Sequence, residues 1–427
     1  MQAAIVYSTD FDRLLAWLGY HPAMADRKIR IGAVGLGRAF SLMIPTFARH
    51  PRVQMVAGAD PRPGARAQFE KDFGGRDYAS HGYAGIEELC DDPNVEAVYI
   101  STPHEMHAAQ VHCAASKGKH ILVEKPMALT LEDCAAMTEA ARAANVALVV
   151  GHSHSFDAPI AHTRDLIASG TFGKLKMIHS LNYTDWLYRP RRPEELSDGG
   201  GVLFNQAPHQ VDVARYLAGG MCKSVRAMTG NWDDSRPATG AYSALLTFAD
   251  GAFASLTYSG FAHFDSDEFM GWIGEGGQPK DAMRYGAARR AIAATTSENE
   301  AAWKNARIYG GENFSEPRSL FNLELRHPHF GVVVASCEHA DLRPTADGVM
   351  IYADTETRFE ALAPPAVPRG EVIDELYAAV VNGVTPKHGG AWSLATMEVC
   401  LAMRESAKQQ QDVALTRQVG LPEVSGR

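Results

Sequence analysis

Short apolar runs alternate with longer segments of helical spacing from Lys28 to Gly151. Ile29–Val34, Val53–Ala59, Val95–Ile100, His120–Val123 and Val146–Val150 are apolar throughout or nearly so, as strands buried on both faces are. Between them, the stretch carrying Leu42, Ile44 and Phe47 and the segments 61–73, 86–90, 104–117 and 131–144 read as helices. Repeated βα units of this length predict a doubly wound parallel sheet with right-handed crossovers. Beyond Gly151 the pattern changes. A helix at 158–169 precedes alternating strands near 175–184, 223–232, 241–248 and 252–260, then strands at 330–337 and 348–353 and helices near 370–382 and 391–408. This predicts an α/β chain with an N-terminal extension (1–26), a doubly wound domain (27–151) and an α+β domain with a largely antiparallel open sheet (152–427). Residues 276–325 have weak periodicity and read as an insertion, a lid or an oligomer contact.

The length of 427 residues is too great for one core, in keeping with this division. A net charge of −9 without a long basic run argues against a nucleic-acid partner. Cys90, Cys113, Cys134, Cys222, Cys337 and Cys400 form neither a CxxC pair nor a disulfide framework, which fits a reducing cytoplasm. No apolar run reaches membrane-spanning length. In the extension, Asp10 and Asp12 argue against a signal peptide, and Phe11, Leu14, Leu15 and Leu18 fit one short amphipathic helix.

The first strand runs into Gly35-Leu36-Gly37-Arg38. Gly35 permits a tight turn, and Gly37 lets backbone N–H groups approach a pyrophosphate resting on the positive end of the next helix. Phe40 stands where a third glycine is usual, so the helix is expected to pack farther from the strand. Asp60 closes the second strand at the spacing of a ribose-binding carboxylate, which favours NAD. Arg62 leaves NADP open, since a guanidinium pairs with a 2′-phosphate. A later strand ends in Glu124-Lys125-Pro126, where the proline holds the lysine in extended backbone at the sheet's ligand-binding edge.

In the second domain the stretch from Asp198 to Asp212 carries a glycine triplet followed by Asn205, His209 and Asp212. If a helix begins near Asn205, these three share a face. Just upstream, Tyr188, Arg189, Arg191 and Arg192 lie among prolines, and arginine forks there suit an anionic, ring-shaped substrate. His152, His154 and Asp157 follow the last strand of the first domain; without a third ligand at a recognised spacing they point to interdomain hydrogen bonding, with His154 facing the substrate, rather than to a metal.

With the GLG loop, Asp60, Thr102-Pro103-His104-Glu105-Met106-His107, Glu124-Lys125-Pro126 and the GGG-to-His segment in this order, the chain resembles the Gfo/Idh/MocA oxidoreductases over nearly its whole length after Arg27. The resemblance implies a Rossmann fold and NAD(P)-dependent hydride transfer; the open antiparallel sheet, for its part, suits a homodimer or homotetramer, and the cysteines a cytoplasmic one. The resemblance also implies that Gly35, Leu36, Gly37, Arg38, Asp60, Arg62, Thr102, Pro103, His107, Glu124 and Lys125 meet the cofactor, and that Lys125, Asn205 and His209 surround the reacting carbon. Asn205 departs from the family's aspartate: an amide orients a hydroxyl but cannot take its proton. His209 then leads as general base, with Lys125 stabilising the developing alkoxide or acting as the base itself. Residues 182–196, 258–265 and 327–331 are similar to the 4,5-dihydroxyphthalate (phthalate dihydrodiol) dehydrogenase branch, implying oxidation of an anionic cis-dihydrodiol with Arg189, Arg191, Arg192, His154 and Tyr188 holding the substrate. A sugar or polyol dehydrogenase and a non-catalytic nicotinamide-binding sensor are the competing readings.

Overall fold

The computed structural model describes residues 27–74, 80–191, 193–196, 201–314 and 325–422. The N-terminal extension, with its expected amphipathic helix, lies outside the described residues, as does Arg192.

The first domain is the expected doubly wound unit. Its elements are β1 (Ile29–Val34), α1 (Arg38–Arg49), β2 (Val53–Ala59), α2 (Pro63–Phe73), β3 (His81–Tyr83), α3 (Ile86–Asp91), β4 (Ala97–Ile100), α4 (His107–Ser116), β5 (His120–Val123), α5 (Leu131–Ala143) and β6 (Leu148–Val150). The strands form one parallel sheet in the order β3-β2-β1-β4-β5-β6. The order reverses beside β1, so the carboxyl ends of β1 and β4 frame the crevice where such sheets bind ligands. Phe40 is fully buried and turns onto an aromatic cluster with Phe47, Phe69 and Phe73.

The second domain opens with α6 (Ala158–Ala168) and β7 (Leu175–Tyr183), then α7 (Val202–Asn205) and α8 (Ala207–Ala218). β8 (Cys222–Gly230), β9 (Ala241–Phe248) and β10 (Phe253–Ser259) follow, and then α9 (Ala287–Ala293) and α10 (Ser297–Arg307) inside the expected insertion. The chain continues through β11 (Val332–Cys337), β12 (Ala340–Thr345), β13 (Gly348–Ala353), β14 (Thr357–Ala361), α11 (Gly370–Asn382), α12 (Gly390–Gln409) and β15 (Val413–Ala414). These strands build one sheet ordered β14-β13-β12-β11-β7-β10-β9-β8-β15, antiparallel except where β7 meets β10. Period-two burial along β9 and β10 puts Leu246, Ala254 and Leu256 inward and leaves Leu245 and Phe253 exposed on the other face.

The expected boundary at Gly151 needs one correction. Val372, Ile373 and Leu376 of α11 are fully buried in the same cluster as Ile29, Ile31, Phe40 and Val149. Each such side chain contributes about 1.5–3 kcal/mol by leaving water, so the C-terminal α11 completes the first domain's core. Beside it, His388 extends that sheet's edge: its carbonyl accepts from the Val150 N–H at 2.9 Å.

Candidate active site

Gly35 has φ +86°, and a Cβ there would sit 2.9 Å from the Thr102 backbone nitrogen. Glycine is therefore required for the β1 loop to lie against the β4 loop. A Cβ on Gly37 would meet nothing within 4 Å, so the loop backbone faces open space before the first amides of α1. A pyrophosphate fits there. Arg38 is exposed at this mouth, and the guanidinium charges of Arg189 and Arg369 reach it. The Asp60 carboxylate accepts from the Leu36 N–H (2.9 Å), the Arg62 N–H (2.9 Å) and the Arg62 guanidinium at Nε (2.9 Å) and Nη2 (3.0 Å).

Lys125 lies just beyond β5, and its Nζ donates to the backbone carbonyl of Asn205 at 3.0 Å. Burial lowers its pKa to about 8, with Glu124 opposing that shift and Arg369 and Arg191 reinforcing it. Glu124 turns inward and accepts from the Tyr99 hydroxyl at 2.7 Å. His107 is fully buried: Nδ1 is 3.1 Å from the Pro126 carbonyl and Nε2 3.0 Å from that of Thr102. It lies between the Thr102 loop and the Lys125 loop, with both ring nitrogens facing backbone carbonyls. The Thr102 hydroxyl donates to Gln110 at 2.6 Å, and Pro103 starts the 3-10 turn His104–Met106.

The expected helix from Asn205 to Asp212 is corrected as well. A helix ends at Asn205, Gln206 breaks the run, and α8 starts at Ala207. The Asn205 amide nitrogen donates back to the Gly201 carbonyl at 3.3 Å, while its own carbonyl meets Lys125. Asp212 faces elsewhere, accepting from Trp392 Nε1 at 2.6 Å and Thr396 Oγ1 at 3.1 Å. His209 remains at the site. Its ring stands edge-on to His154 at 4.9 Å and 4.8 Å from Phe330, and its Nδ1 is buried without a partner. Burial first, then the charge of Lys125, holds its pKa well below the usual value, so the ring is neutral. His154 Nδ1 is fixed by Asp157 at 2.7 Å.

The arginine loop folds over this group. Arg191 lies 4.0 Å over the Trp186 ring, and its Nε is buried without a hydrogen-bond partner. Burial and the neighbouring Arg189 charge bring its pKa down to about 10 against the pull of Glu195. Arg189 is committed to Asp185 at 2.8 Å and Glu275 at 3.5 Å. Tyr188 donates its hydroxyl to Asp233, with Arg289 3.9 Å over its ring. The sequence reading missed Arg369, which precedes α11 at φ +53° and whose charge acts on Glu124, Lys125, His152 and His209. A lone arginine distant in sequence from every motif carries no local signal.

A family profile described as an oxidoreductase family with NAD-binding Rossmann fold, Gfo/Idh/MocA, matches residues 29–152, and the Gfo/Idh/MocA C-terminal domain matches 160–278. The 1-carboxy-3-chloro-3,4-dihydroxycyclohexa-1,5-diene dehydrogenase of Comamonas testosteroni is 47% identical over 90% of this chain and 96% of its own. The chain belongs to the Gfo/Idh/MocA family. As a Gfo/Idh/MocA protein it is an NAD(P)-dependent oxidoreductase. A crystal structure assigned as a dehydrogenase, from Bordetella bronchiseptica RB50, superposes with TM-score 0.84 at 40% identity, covering 91% of this chain and all of that one. The scyllo-inositol 2-dehydrogenase (NAD(+)) of Bacillus subtilis is more distant, at 30% identity over 47% of this chain and 57% of its own.

Proposed function

We propose that this enzyme oxidises a ring-carboxylated cyclohexadiene diol with NAD, and that Lys125 takes the hydroxyl proton. The observation that carries the reading is the set of cations around the lysine. Arg191 keeps a buried guanidinium N–H unpartnered, Arg369 adds its charge, and burial brings the ammonium to about 8. Like charges held together out of water favour an anion among them. The curated relative with a carboxylated diene diol in its name supports the same class. The Asp60 carboxylate opposes a 2′-phosphate, which favours NAD over NADP.

Bound NAD supplies the hydride acceptor at the crevice. The residues of this chain divide the remaining work. Neutral Lys125 accepts the proton from the carbinol oxygen as its C–H bond breaks, and the Asn205 carbonyl fixes Nζ in place. His209 was the expected leading base, yet a pKa far below neutrality makes it a weak proton acceptor. It serves instead as a neutral wall and hydrogen-bonding group for the substrate, backed by His154 and Phe330. Arg191, with Arg369, holds the ring carboxylate and excludes water around it.

The test is NADH formation with a panel of carboxylated cyclohexadiene diols, inositols and sugars. Turnover of the carboxylated diols that Lys125→Ala reduces by about 10²–10⁴-fold supports the reading. Turnover confined to inositols or sugars replaces it with a polyol dehydrogenase, and tight NADH binding without turnover of any of them replaces it with a sensor.

A further inference from the structure

Residues 297–314 of the insertion form a strap that touches both the substrate loop and the adenosine end of the crevice. At the substrate end, the buried Glu300 carboxylate accepts from Arg236 Nη1 (2.7 Å) and Nη2 (2.9 Å) and from the Arg191 N–H (2.6 Å). Lys304 pairs with Glu195. At the adenosine end, Tyr309 is fully buried, edge-on to Phe40 at 5.0 Å, and its hydroxyl donates to Asp72 at 2.7 Å. Gly310 follows at φ +70°, where a Cβ would come 2.5 Å from the Ala65 Cα, so the strap lies directly on α2.

This docking fixes Arg62. Its Nη1 donates to the Tyr309 carbonyl at 3.1 Å and its Nη2 to the Leu36 carbonyl at 2.7 Å, while Nε and Nη2 fork onto Asp60. One Nη1 hydrogen is left uncommitted from the guanidinium's donors. We propose that the strap, through the Tyr309 carbonyl, is the cofactor-specificity element: it parks Arg62 on Asp60 and thereby selects an unphosphorylated adenosine ribose.

A free guanidinium two residues beyond Asp60 is the group that would clasp a 2′-phosphate. To do so here it must abandon two backbone carbonyls and uncover the Asp60 charge toward the phosphate. A ribose diol makes no such demand, because a hydroxyl accepts the remaining Nη1 hydrogen while Asp60 stays paired with Arg62. The insertion thus sets the cofactor from a position in the chain far from the nucleotide-binding motif.

The proposal rests on the nicotinamide-dependent reading above and is tested by fluorescence titration of the full chain with NADH and NADPH. The readout is the ratio of the two dissociation constants in the wild type, Tyr309→Ala, Gly310→Ala and Tyr309→Ala/Arg62→Ala. Release of Arg62 is expected to improve NADPH relative to NADH by about tenfold in Tyr309→Ala, the size of one charge-assisted hydrogen bond. Removing Arg62 as well is expected to abolish that gain. Gly310→Ala lifts the strap without emptying the aromatic cluster and is expected to shift the ratio the same way, so the test survives if Tyr309→Ala does not fold. An unchanged ratio in variants that still bind NADH overturns the strap's role alone. A wild type that binds neither nucleotide overturns both readings.

Discussion

In the proposed reaction Lys125 takes the proton, and two opposing effects set its state. Burial removes solvation from the ammonium and Arg369 and Arg191 repel it, while Glu124 and Glu275 attract it; the balance is a value of about 8. A base must be deprotonated to act, so kcat/KM for diol oxidation is expected to rise with pH through a limb near 8, and that limb is expected to vanish in Lys125→Met. A limb at lower pH that survives Lys125→Met but disappears in His209→Gln would return the proton to the histidine. Lys125, Gly35, Gly37 and Asp60 were legible because each sits in a short motif whose spacing follows from the fold. Asn205 was legible as a position but not in its contact, since the break at Gln206 turns its carbonyl rather than its amide toward the lysine. His107 was placed in the right loop, but its surroundings were not legible. Sequence spacing does not reveal that three carbonyls enclose its ring.

Among the elements, α8, α11 and the turn after β6 are joined at His388. Its Nδ1 meets Glu375 at 2.9 Å and its Nε2 meets the Ser155 hydroxyl at 2.9 Å, while Phe156 stacks on its ring at 3.7 Å. A serine, histidine and glutamate in this order resemble a nucleophile's relay. The Ser155 proton, however, goes to Asp212, so the row is a structural ion chain and the hydroxyl is not activated. Burial works against charge on His388, but Glu375 and then Asp212 overcome it and raise its pKa above the 6.5 of a free imidazole. A group whose folded pKa is raised stabilises most below its unfolded pKa and loses that contribution as pH rises through the folded value. The melting-temperature gap between wild type and His388→Gln is therefore expected to be widest near pH 6 and to narrow toward alkaline pH; a gap that widens with pH would contradict the ion chain. The sequence marks strands most clearly where alternation is clean, as in β9 and β10. It gives no such signal for β12, whose run contains Pro344 and Arg343, or for β14, an edge strand with mostly exposed residues. In both, pairing by neighbours rather than local propensity makes the strand. The insertion carries only a faint pattern, because α9 is short and its apolar pair Ala288 and Ile292 is only partly buried against the core.

At the scale of the whole molecule, the two sheets bring together cations that the sequence scatters over the chain: Arg38 from the first loop, Lys125 beyond β5, Arg189 and Arg191 from the loop after β7, and Arg369 before α11. The parallel doubly wound sheet and the largely antiparallel open sheet were readable from periodicity. The return of α11 to the first domain was not, since an amphipathic helix does not state which core it joins. That return delivers Arg369 to the crevice. The central claim is that this cationic crevice recognises a ring carboxylate while Lys125 takes the proton beside it. The most direct measurement compares kcat/KM, with NAD, for a carboxylated cyclohexadiene diol and for the same diol without its carboxylate, in wild type and Arg191→Met. We expect the carboxylate to raise kcat/KM by about tenfold to a hundredfold in the wild type and most of that advantage to be lost in Arg191→Met, chiefly through KM. Equal kcat/KM for the two diols in the wild type would contradict the account.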